Sequence, residues 1–298
     1  MIIPQYLTSG DKVGVVATAK VVDKGNTLFG IDMLRQWGLK VEVGQYVFEK
    51  YFQFAGTDEQ RTEDLQRMID DPEIKAIFMV RGGYGSTRII DRIDYTPLVK
   101  NPKWICGFSD ITAFHLHLFQ LGIASFHAPM PSFFHALDKP SLNRFQSMLF
   151  GNRETLHVHP HHLNKKGKAT GKLVGGNLSM ICHTIGTPSE IETEGNLLFI
   201  EDIGENLYRI DRMLVQLKRA GFLRHLAGLI VGQFSDMEDN EDSFGLNAFE
   251  IIHSHISAFD YPVAIDFPMG HTSTNFALPV GLEATLIVDE KAVQLDID

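Results

Sequence analysis

Short apolar runs alternate with amphipathic stretches through the first half of the chain. The pattern predicts buried strands at residues 12–17, 39–43, 74–80, 104–106 and 123–126. Helices are predicted between or after these strands, near residues 27–37, 57–71, 86–93, 110–120 and 141–150. Two local signals support the helix boundaries, since Thr57 and Gln60 match a capping box and Gly38 follows the first helix. Strands that alternate with helices of about ten residues predict βαβ units and a parallel sheet.

The second half of the chain shows a less regular pattern. It predicts strands at residues 172–174, 197–200, 229–231 and 263–265, helices at 178–185, 208–220 and 248–259, and a hairpin from 284–288 and 292–297. Between the halves, residues 151–170 are polar and are interrupted by glycine and proline, which indicates a linker. We therefore expect an α/β protein with an N-terminal parallel-sheet domain (1–150) and a C-terminal mixed α/β domain (171–298).

Composition excludes several classes of protein. Lysine and arginine total 27 against 37 aspartates and glutamates, a formal charge of −10, and no basic run stands out. Such a chain repels nucleic acid and anionic membranes, so neither is an expected partner. No apolar run approaches the roughly 20 residues of a membrane span, and the N-terminus does not resemble a secretory signal. With two cysteines, Cys106 and Cys182, in apolar surroundings, the sequence predicts a reduced, cytoplasmic protein.

Three predicted strand ends carry residues with catalytic chemistry. Ser109 follows the strand 104–106 and precedes a helix, where free amides favour negative charge, although an ordinary helix N-cap explains it as well. Glu201 follows the strand 197–200, where a solvated acidic loop is the alternative. His271 follows the strand 263–265, and by itself it is most simply a surface histidine. Together they have the residue types of a catalytic triad, in which histidine activates serine and a carboxylate orients the histidine.

A glycine-rich turn, Arg81-Gly-Gly-Tyr-Gly85, follows the predicted strand 74–80. Three glycines in four positions allow close backbone approach and expose amides to an anion. The turn matches neither the dinucleotide fingerprint nor the phosphate-loop motif. It is therefore a candidate phosphate cradle, a candidate oxyanion donor or a plain tight turn. The first of these defines a non-enzymatic alternative, a small-ligand binding module that uses Gly82–Gly85.

Two further groups are weaker candidates. The segment His157–His162 contains four histidines, and imidazole suits zinc. An edge strand or loop explains the segment better, because its histidines alternate with other residues, it contains a proline, and no cysteine or carboxylate lies close by in the sequence. We therefore predict no metal site. Cys106 lies inside a predicted strand, where burial raises the pKa of a thiol and disfavours a nucleophilic role.

Several motifs, taken in order, resemble the LD-carboxypeptidase family of serine peptidases. They extend over residues 11–288 and comprise Arg81–Ser86, Gly107–Ala113, Gly175–Leu178, Phe199–Glu205 with Tyr208–Arg212, and Gly270-His271 with Asn275 and Leu278-Pro279. The resemblance implies a triad of Ser109, Glu201 and His271. It also implies oxyanion donors among the backbone amides near Gly83 and of Asp110.

Further expectations follow from the same resemblance. The active site would lie between the two domains, the protein would form a homodimer, and no cofactor would be needed. The reaction would release a C-terminal D-amino acid, D-alanine, from cytoplasmic murein tetrapeptides in peptidoglycan recycling. A carboxypeptidase must also hold the substrate carboxylate, which an arginine pairs with well. Arg81, Tyr84, Asn177 and Arg209 are the substrate-binding candidates; Arg212 is a further arginine, and an exposed helix face explains Arg209 and Arg212 equally.

This chain departs from the family pattern at three places near the expected pocket. Ala17-Thr18-Ala19, His127–Met130 and His271–Asn275 replace segments that are usually richer in proline or glycine. These departures leave the triad intact but bear on the substrate. An alternative within the family is a microcin C-type immunity peptidase that cleaves an aminoacyl or peptidyl nucleotide conjugate.

Overall fold

A computed structural model of the chain describes residues 1–297. The strands are β1 (Lys12–Val16), β2 (Lys40–Val43), β3 (Ile74–Met79), β4 (Trp104–Gly107), β5 (Ser125–His127), β6 (Leu156–Val158), β7 (Gly167–Asn177), β8 (Leu197–Ile203), β9 (Gly228–Ser235), β10 (Val263–Ile265), β11 (Leu278–Val280), β12 (Glu283–Val288) and β13 (Val293–Ile297). The α-helices are α1 (Lys24–Gln36), α2 (Asp58–Asp70), α3 (Ser86–Ile89), α4 (Thr96–Lys100), α5 (Thr112–Gln120), α6 (Lys139–Leu149), α7 (Leu178–Thr184), α8 (Leu207–Ala220) and α9 (Ala248–Ile256). Short 3₁₀ turns cover Ile90–Arg92, Ser109–Ile111 and Pro131–Ala136.

Helix caps account for most of the observed boundaries. The predicted capping box is present, because Thr57 Oγ1 accepts from the Gln60 amide and the Gln60 side chain accepts from the Thr57 amide. Helix α1 begins about one turn earlier than its apolar periodicity indicated, because the Asp23 side chain caps the amide of Asn26. The short helix α4 and the strand β11 have too few residues to show a periodic pattern, and sequence reasoning missed both.

The chain forms two compact units. Unit 1 comprises Met1–Asn152 together with Phe276–Val280, and unit 2 comprises Arg153–Asn275 and the described chain from Gly281 onward. The sheet of unit 1 has the order β11-β5-β4-β3-β1-β2. Its strands from β2 to β5 run parallel, and β11 adds an antiparallel edge strand on β5. The parallel-sheet prediction for the first half is confirmed, and its central strands β3 and β4 are almost completely buried.

The sheet of unit 2 is mixed, with the order β10-β9-β8-β7-β12-β13-β6. Strand β7 connects its two parts, since its first half pairs antiparallel with β12 and its second half pairs parallel with β8. The predicted hairpin is present as β12 and β13. Residues 151–170, predicted as a linker, contain the edge strand β6 and the beginning of β7. The expected α/β class, with a parallel-rich first sheet and a mixed second sheet, is confirmed.

Parallel strands leave their carboxyl ends at one edge of a sheet, which is where α/β proteins collect functional groups. In unit 1, β4 ends at Gly107, two residues before Ser109. In unit 2, Glu201 is the last residue of β8 that pairs with β7, and β10 precedes the loop that carries His271. None of the helices within residues 1–297 is both long enough and apolar enough to cross a membrane.

Candidate active site

Ser109 occupies a sharp turn between β4 and α5. Its φ angle is +64°, a left-handed conformation that non-glycine residues rarely adopt. The chain passes directly from this residue into a 3₁₀ turn and then into α5. A strained strand-to-helix turn of this kind is the geometry in which serine nucleophiles of α/β hydrolases are presented. The conformation therefore favours the nucleophile interpretation of Ser109 over an ordinary N-cap, whose backbone is extended.

The glycine-rich turn packs directly against the serine turn. A Cβ atom added to Gly82 would lie 3.1 Å from Ser109 Cβ and 3.2 Å from the amide nitrogen of Asp110. A side chain at this position would crowd the backbone around the Asp110 amide, the predicted oxyanion donor. The Asp110 carboxylate ties the two turns together, because its Oδ2 accepts from the Ser86 amide at 2.8 Å. Gly82 is thus the glycine in direct contact with the serine turn, and Gly83 follows it with a φ of +112°.

A buried histidine on α5 forms a hydrogen bond with the last residue of β4. His115 Nε2 lies 2.7 Å from the Gly107 carbonyl and Nδ1 lies 2.8 Å from Ser125 Oγ. Because a carbonyl accepts only, Nε2 carries the proton and Nδ1 accepts from the serine hydroxyl. Burial lowers the pKa of His115 to about 4, so the ring stays neutral. Sequence reasoning missed this residue, since a histidine on an apolar helix gives no distinct signal.

Glu201 and His271 form a close pair in unit 2. His271 Nδ1 lies 2.6 Å from Glu201 Oε2, and the glutamate side chain is fully buried. Burial of the ring opposes its protonation, but the Glu201 carboxylate, together with the charges of Asp202 and Asp236, outweighs burial and raises the pKa of His271. A carboxylate on Nδ1 fixes the tautomer in which Nε2 carries the lone pair that accepts a proton. The two residues therefore have the arrangement of the carboxylate and base of a serine hydrolase.

The loop that carries His271 is held by specific contacts. The buried Asn275 accepts a hydrogen bond from the Gly270 amide at 3.0 Å through its Oδ1. Gly270 has a φ of +130°, and a Cβ there would lie 3.3 Å from Glu201 Cβ. Glycine at 270 therefore lets the loop approach β8 closely enough for the histidine to reach the carboxylate. The motif was visible in the sequence, but the role of Asn275 as its internal brace was not.

Asp202 lies beside Glu201 and anchors the start of α7. Its Oδ1 accepts from Asn177 Nδ2 at 2.9 Å, and its Oδ2 accepts from the Ser179 amide at 2.9 Å. Burial, together with the charge of Glu201, raises the pKa of Asp202 to about 7. The substrate-binding candidate Asn177 is itself the N-cap of α7, with its Oδ1 accepting from Met180. Asn177 is thus close to the Glu201 end of β8, and its contact with substrate stays a prediction.

The remaining substrate-binding candidates are in different surroundings. In unit 1, Arg81 donates from Nη1 to the Val21 carbonyl at 3.0 Å, and Tyr84 is 43% exposed beside Phe54. In unit 2, Arg209 lies on the exposed face of α8 and contacts Glu205 and Tyr208. The Arg212 guanidinium lies 5.4 Å from the centre of the Tyr208 ring. The two α8 arginines thus have neighbours on or just before their own helix, and their roles stay predictions.

Neither weaker candidate forms a reactive cluster. His161 stacks beside His162, with ring centres 4.3 Å apart, and its other neighbour is Phe249. Across residues 1–297, no group of three histidine, cysteine, aspartate or glutamate side chains has the geometry to hold a metal ion. Cys106 is buried within β4, and burial raises the pKa of its thiol well above the usual value.

Comparison with known proteins agrees with these observations. The sequence matches the LD-carboxypeptidase N-terminal domain over residues 13–128 and the C-terminal domain over residues 170–286. A probable murein peptide carboxypeptidase of Bacillus subtilis (strain 168) is 38% identical over 98% of this chain and 94% of its own length. The murein tetrapeptide carboxypeptidase of Pseudomonas aeruginosa is 31% identical over 92% of both chains.

A solved structure extends the similarity to the fold. The muramoyltetrapeptide carboxypeptidase from Oxalobacter formigenes matches with a TM-score of 0.88 and 31% identity, over 96% of this chain and 98% of that chain. Similarity of this extent covers both units and every motif on which the sequence-based expectation rested. The chain therefore belongs to the LD-carboxypeptidase family of serine peptidases.

Proposed function

We propose that this protein is a serine LD-carboxypeptidase that releases C-terminal D-alanine from murein tetrapeptides. The observation that carries the proposal is the pair of Glu201 and His271, joined at 2.6 Å in a chain that also holds Ser109 in a strained turn. The murein peptide substrates named for its relatives support the choice of substrate. In this proposal the triad draws its serine from unit 1 and its glutamate and histidine from unit 2.

The chemistry follows from the properties of each group. His271 Nε2 takes the hydroxyl proton of Ser109, and Ser109 Oγ attacks the carbonyl carbon of the amide that precedes D-alanine. The resulting imidazolium is stabilised by the buried Glu201 carboxylate. His271 then gives the proton to the leaving amine of D-alanine, and an acyl-enzyme remains. Water, activated by the same histidine, hydrolyses the ester and restores Ser109.

Negative charge on the carbonyl oxygen must be stabilised during both steps. The proposed donors are the Asp110 amide and an amide of the glycine turn near Gly83. The contact of Gly82 with the backbone at Ser109 and Asp110 supports this, because it brings the two amide-bearing turns together. Preorganised amides at such a position contribute about 3–4 kcal/mol each to transition-state stabilisation.

The decisive experiment compares Ser109→Ala with the wild-type protein on a purified murein tetrapeptide. We expect the variant to lose release of D-alanine by about 10⁴-fold or more. Ser254→Ala on α9 is the matched control, since its hydroxyl donates to the Ile251 carbonyl within its own helix and should leave the rate unchanged. Undiminished release by Ser109→Ala would eliminate the proposed mechanism.

Two further experiments distinguish the proposed function from its alternatives. A serine-directed phosphonate should label Ser109, whereas a non-enzymatic ligand-binding module would show no labelling. An aminoacyl sulfamoyl nucleotide tested beside the tetrapeptide distinguishes the immunity-type activity. Cleavage of the conjugate with no release of D-alanine from the peptide would show that the protein is an immunity-type peptidase and would refute the proposed substrate.

We also propose a cytoplasmic location and a homodimeric assembly, both implied by the family resemblance and both open to direct measurement. Light scattering on the purified protein should give about twice the 33.5 kDa mass of one chain. Fractionation of the source cells should recover the D-alanine-releasing activity with cytoplasmic markers. Recovery of a monomer, or of the activity outside the cytoplasm, would refute the corresponding part.

A further inference from the structure

The loop after β1 carries a lysine whose backbone is held from both sides. The Ala19 carbonyl accepts from the Ala55 amide at 3.0 Å, and the Val21 amide donates to the Gln53 carbonyl at 2.9 Å. The Val21 carbonyl also accepts from Arg81 at 3.0 Å. The residue between them, Lys20, therefore has a fixed backbone, and its freedom is confined to its side chain.

The side chain of Lys20 lies along the glycine-rich turn. A Cβ added to Gly83 would meet Lys20 Cδ at 2.7 Å, Cγ at 3.0 Å and Cε at 3.3 Å. Glycine at 83 thus leaves the space that the lysine stem occupies, and its φ of +112° also favours glycine. The preceding residue, Gly82, contacts Ser109 and Asp110. The lysine stem and the serine turn therefore pack against adjacent residues of the glycine-rich turn.

The charge of Lys20 is not neutralised within the part of the chain that the structure describes. No carboxylate of residues 1–297 lies within 4.0 Å of its ammonium nitrogen, and the side chain is half-buried. Of the other cations around the turn, Arg61 and Arg88 both pair with Asp58. Arg81 donates from Nη1 to the Val21 carbonyl, and its buried Nε has no hydrogen-bond partner among the described residues.

We propose that Lys20 binds the free C-terminal carboxylate of the substrate, and this proposal rests on the function proposed above. A protein with a net charge of −10 needs a local positive charge to hold a carboxylate beside the scissile amide. Lys20 supplies that charge next to the turn that contacts Ser109. Arg81, one of the candidates predicted from the sequence, instead donates to the Val21 carbonyl in the loop that carries Lys20.

The test compares two substrates that differ in one charge. One is the murein tetrapeptide with its free D-alanine carboxylate, and the other is the same peptide ending in D-alaninamide. We expect Lys20→Met to lower kcat/KM for the free acid by about 10- to 100-fold, mainly through KM, because a charge-assisted contact is lost. Hydrolysis of the amide should change less than about 3-fold, and Lys20→Arg should keep most of the preference for the acid.

Matched variants identify the residue responsible. Lys24→Met removes a lysine four positions away that lies over the Phe48 ring, and it should leave both substrates unaffected. An equal loss on acid and amide in Lys20→Met would overturn the proposal, because the effect would then not depend on the carboxylate. A selective loss in Arg81→Met, with none in Lys20→Met, would assign the carboxylate to the arginine instead.

Equilibrium binding separates this proposal from the proposed function. Calorimetry in a Ser109→Ala background measures acid and amide binding without turnover, and addition of Lys20→Met should remove the preference for the acid. If the wild-type protein hydrolyses neither peptide, the proposed function fails, and binding still decides the role of Lys20. Equal binding of acid and amide by the Ser109→Ala protein that retains Lys20 would refute it.

Discussion

His271 Nδ1 lies 2.6 Å from Glu201 Oε2, although the two residues are 70 positions apart in the chain. The carboxylate is fully buried at the end of β8, and the histidine reaches it from a loop braced by Asn275. Burial disfavours the protonated imidazole, and the charge of Glu201, together with Asp202 and Asp236, reverses that tendency and raises the pKa of His271. In the proposed mechanism, the carboxylate stabilises the imidazolium that forms when the histidine takes a proton.

Loss of the Glu201 charge should slow the reaction severely. Glu201→Gln keeps the size of the side chain, but its amide can donate to Nδ1 and so favours the wrong tautomer. We expect kcat to fall by about 10³- to 10⁴-fold with little change in the unfolding midpoint. Steady-state kinetics on the tetrapeptide checks this, with Glu283→Gln at the exposed first position of β12 as the control. A loss below about 10-fold would exclude Glu201 from the triad.

The decrease in kcat/KM at low pH, the acid limb of the pH profile, should reflect protonation of His271. A base must be neutral, so kcat/KM should decline as the pH falls through the pKa of this ring. Because Glu201 raises that pKa, the decline should begin above the range of an ordinary histidine. In Glu201→Gln the residual activity should show the limb at a lower pH, since the charge that favours the protonated ring is gone. An unmoved limb would show that another group controls it.

The strained backbone at Ser109 predicts an unusual order of stability. At a φ of +64° glycine has no steric penalty, whereas alanine retains it. We expect Ser109→Gly to exceed Ser109→Ala by about 1 kcal/mol in the free energy of unfolding. Urea unfolding measures the difference. Ser254 in α9 is the control, because there glycine should be the less stable variant by about 1 kcal/mol. The same order at both positions would argue against strain at Ser109.

The buried Arg61 should be a major support of the glycine turn. It is fully buried on α2, donates to the Gly85 carbonyl at 3.0 Å and to the Thr18 carbonyl, and pairs with Asp58. Arg61→Met would leave these acceptors without their donor, so we expect the free energy of unfolding to fall by about 3 kcal/mol.

The control for Arg61 is another arginine near Asp58. Arg92 approaches the same carboxylate at 3.7 Å but is 45% exposed, so Arg92→Met should cost less than about 1 kcal/mol. Urea unfolding of both variants gives the comparison. Similar losses in the two would mean that burial at position 61 adds nothing to the ion pair.

Much of the fold follows from local patterns that the sequence displays. Alternating apolar runs and helix caps predicted the parallel sheet of unit 1, and the Thr57 capping box placed the start of α2 correctly. Local patterns could not show β11, because three residues carry no periodicity and its pairing with β5 is made over 150 residues of chain. They also could not show that β7 changes partners along its length, since pairing depends on strands far away in sequence.

The candidate site, like the fold, was only partly predictable from the sequence. The sequence alone identified Ser109, Glu201 and His271 as candidates, because their side-chain types and the motifs around them are visible without a structure. The tertiary structure determined which partner each of these side chains contacts. It joined Glu201 to His271, placed the backbone of Ser109 in a left-handed conformation, and laid Lys20 along Gly83. Distances, burial and backbone strain arise when distant segments pack together, so they became visible in the folded chain alone.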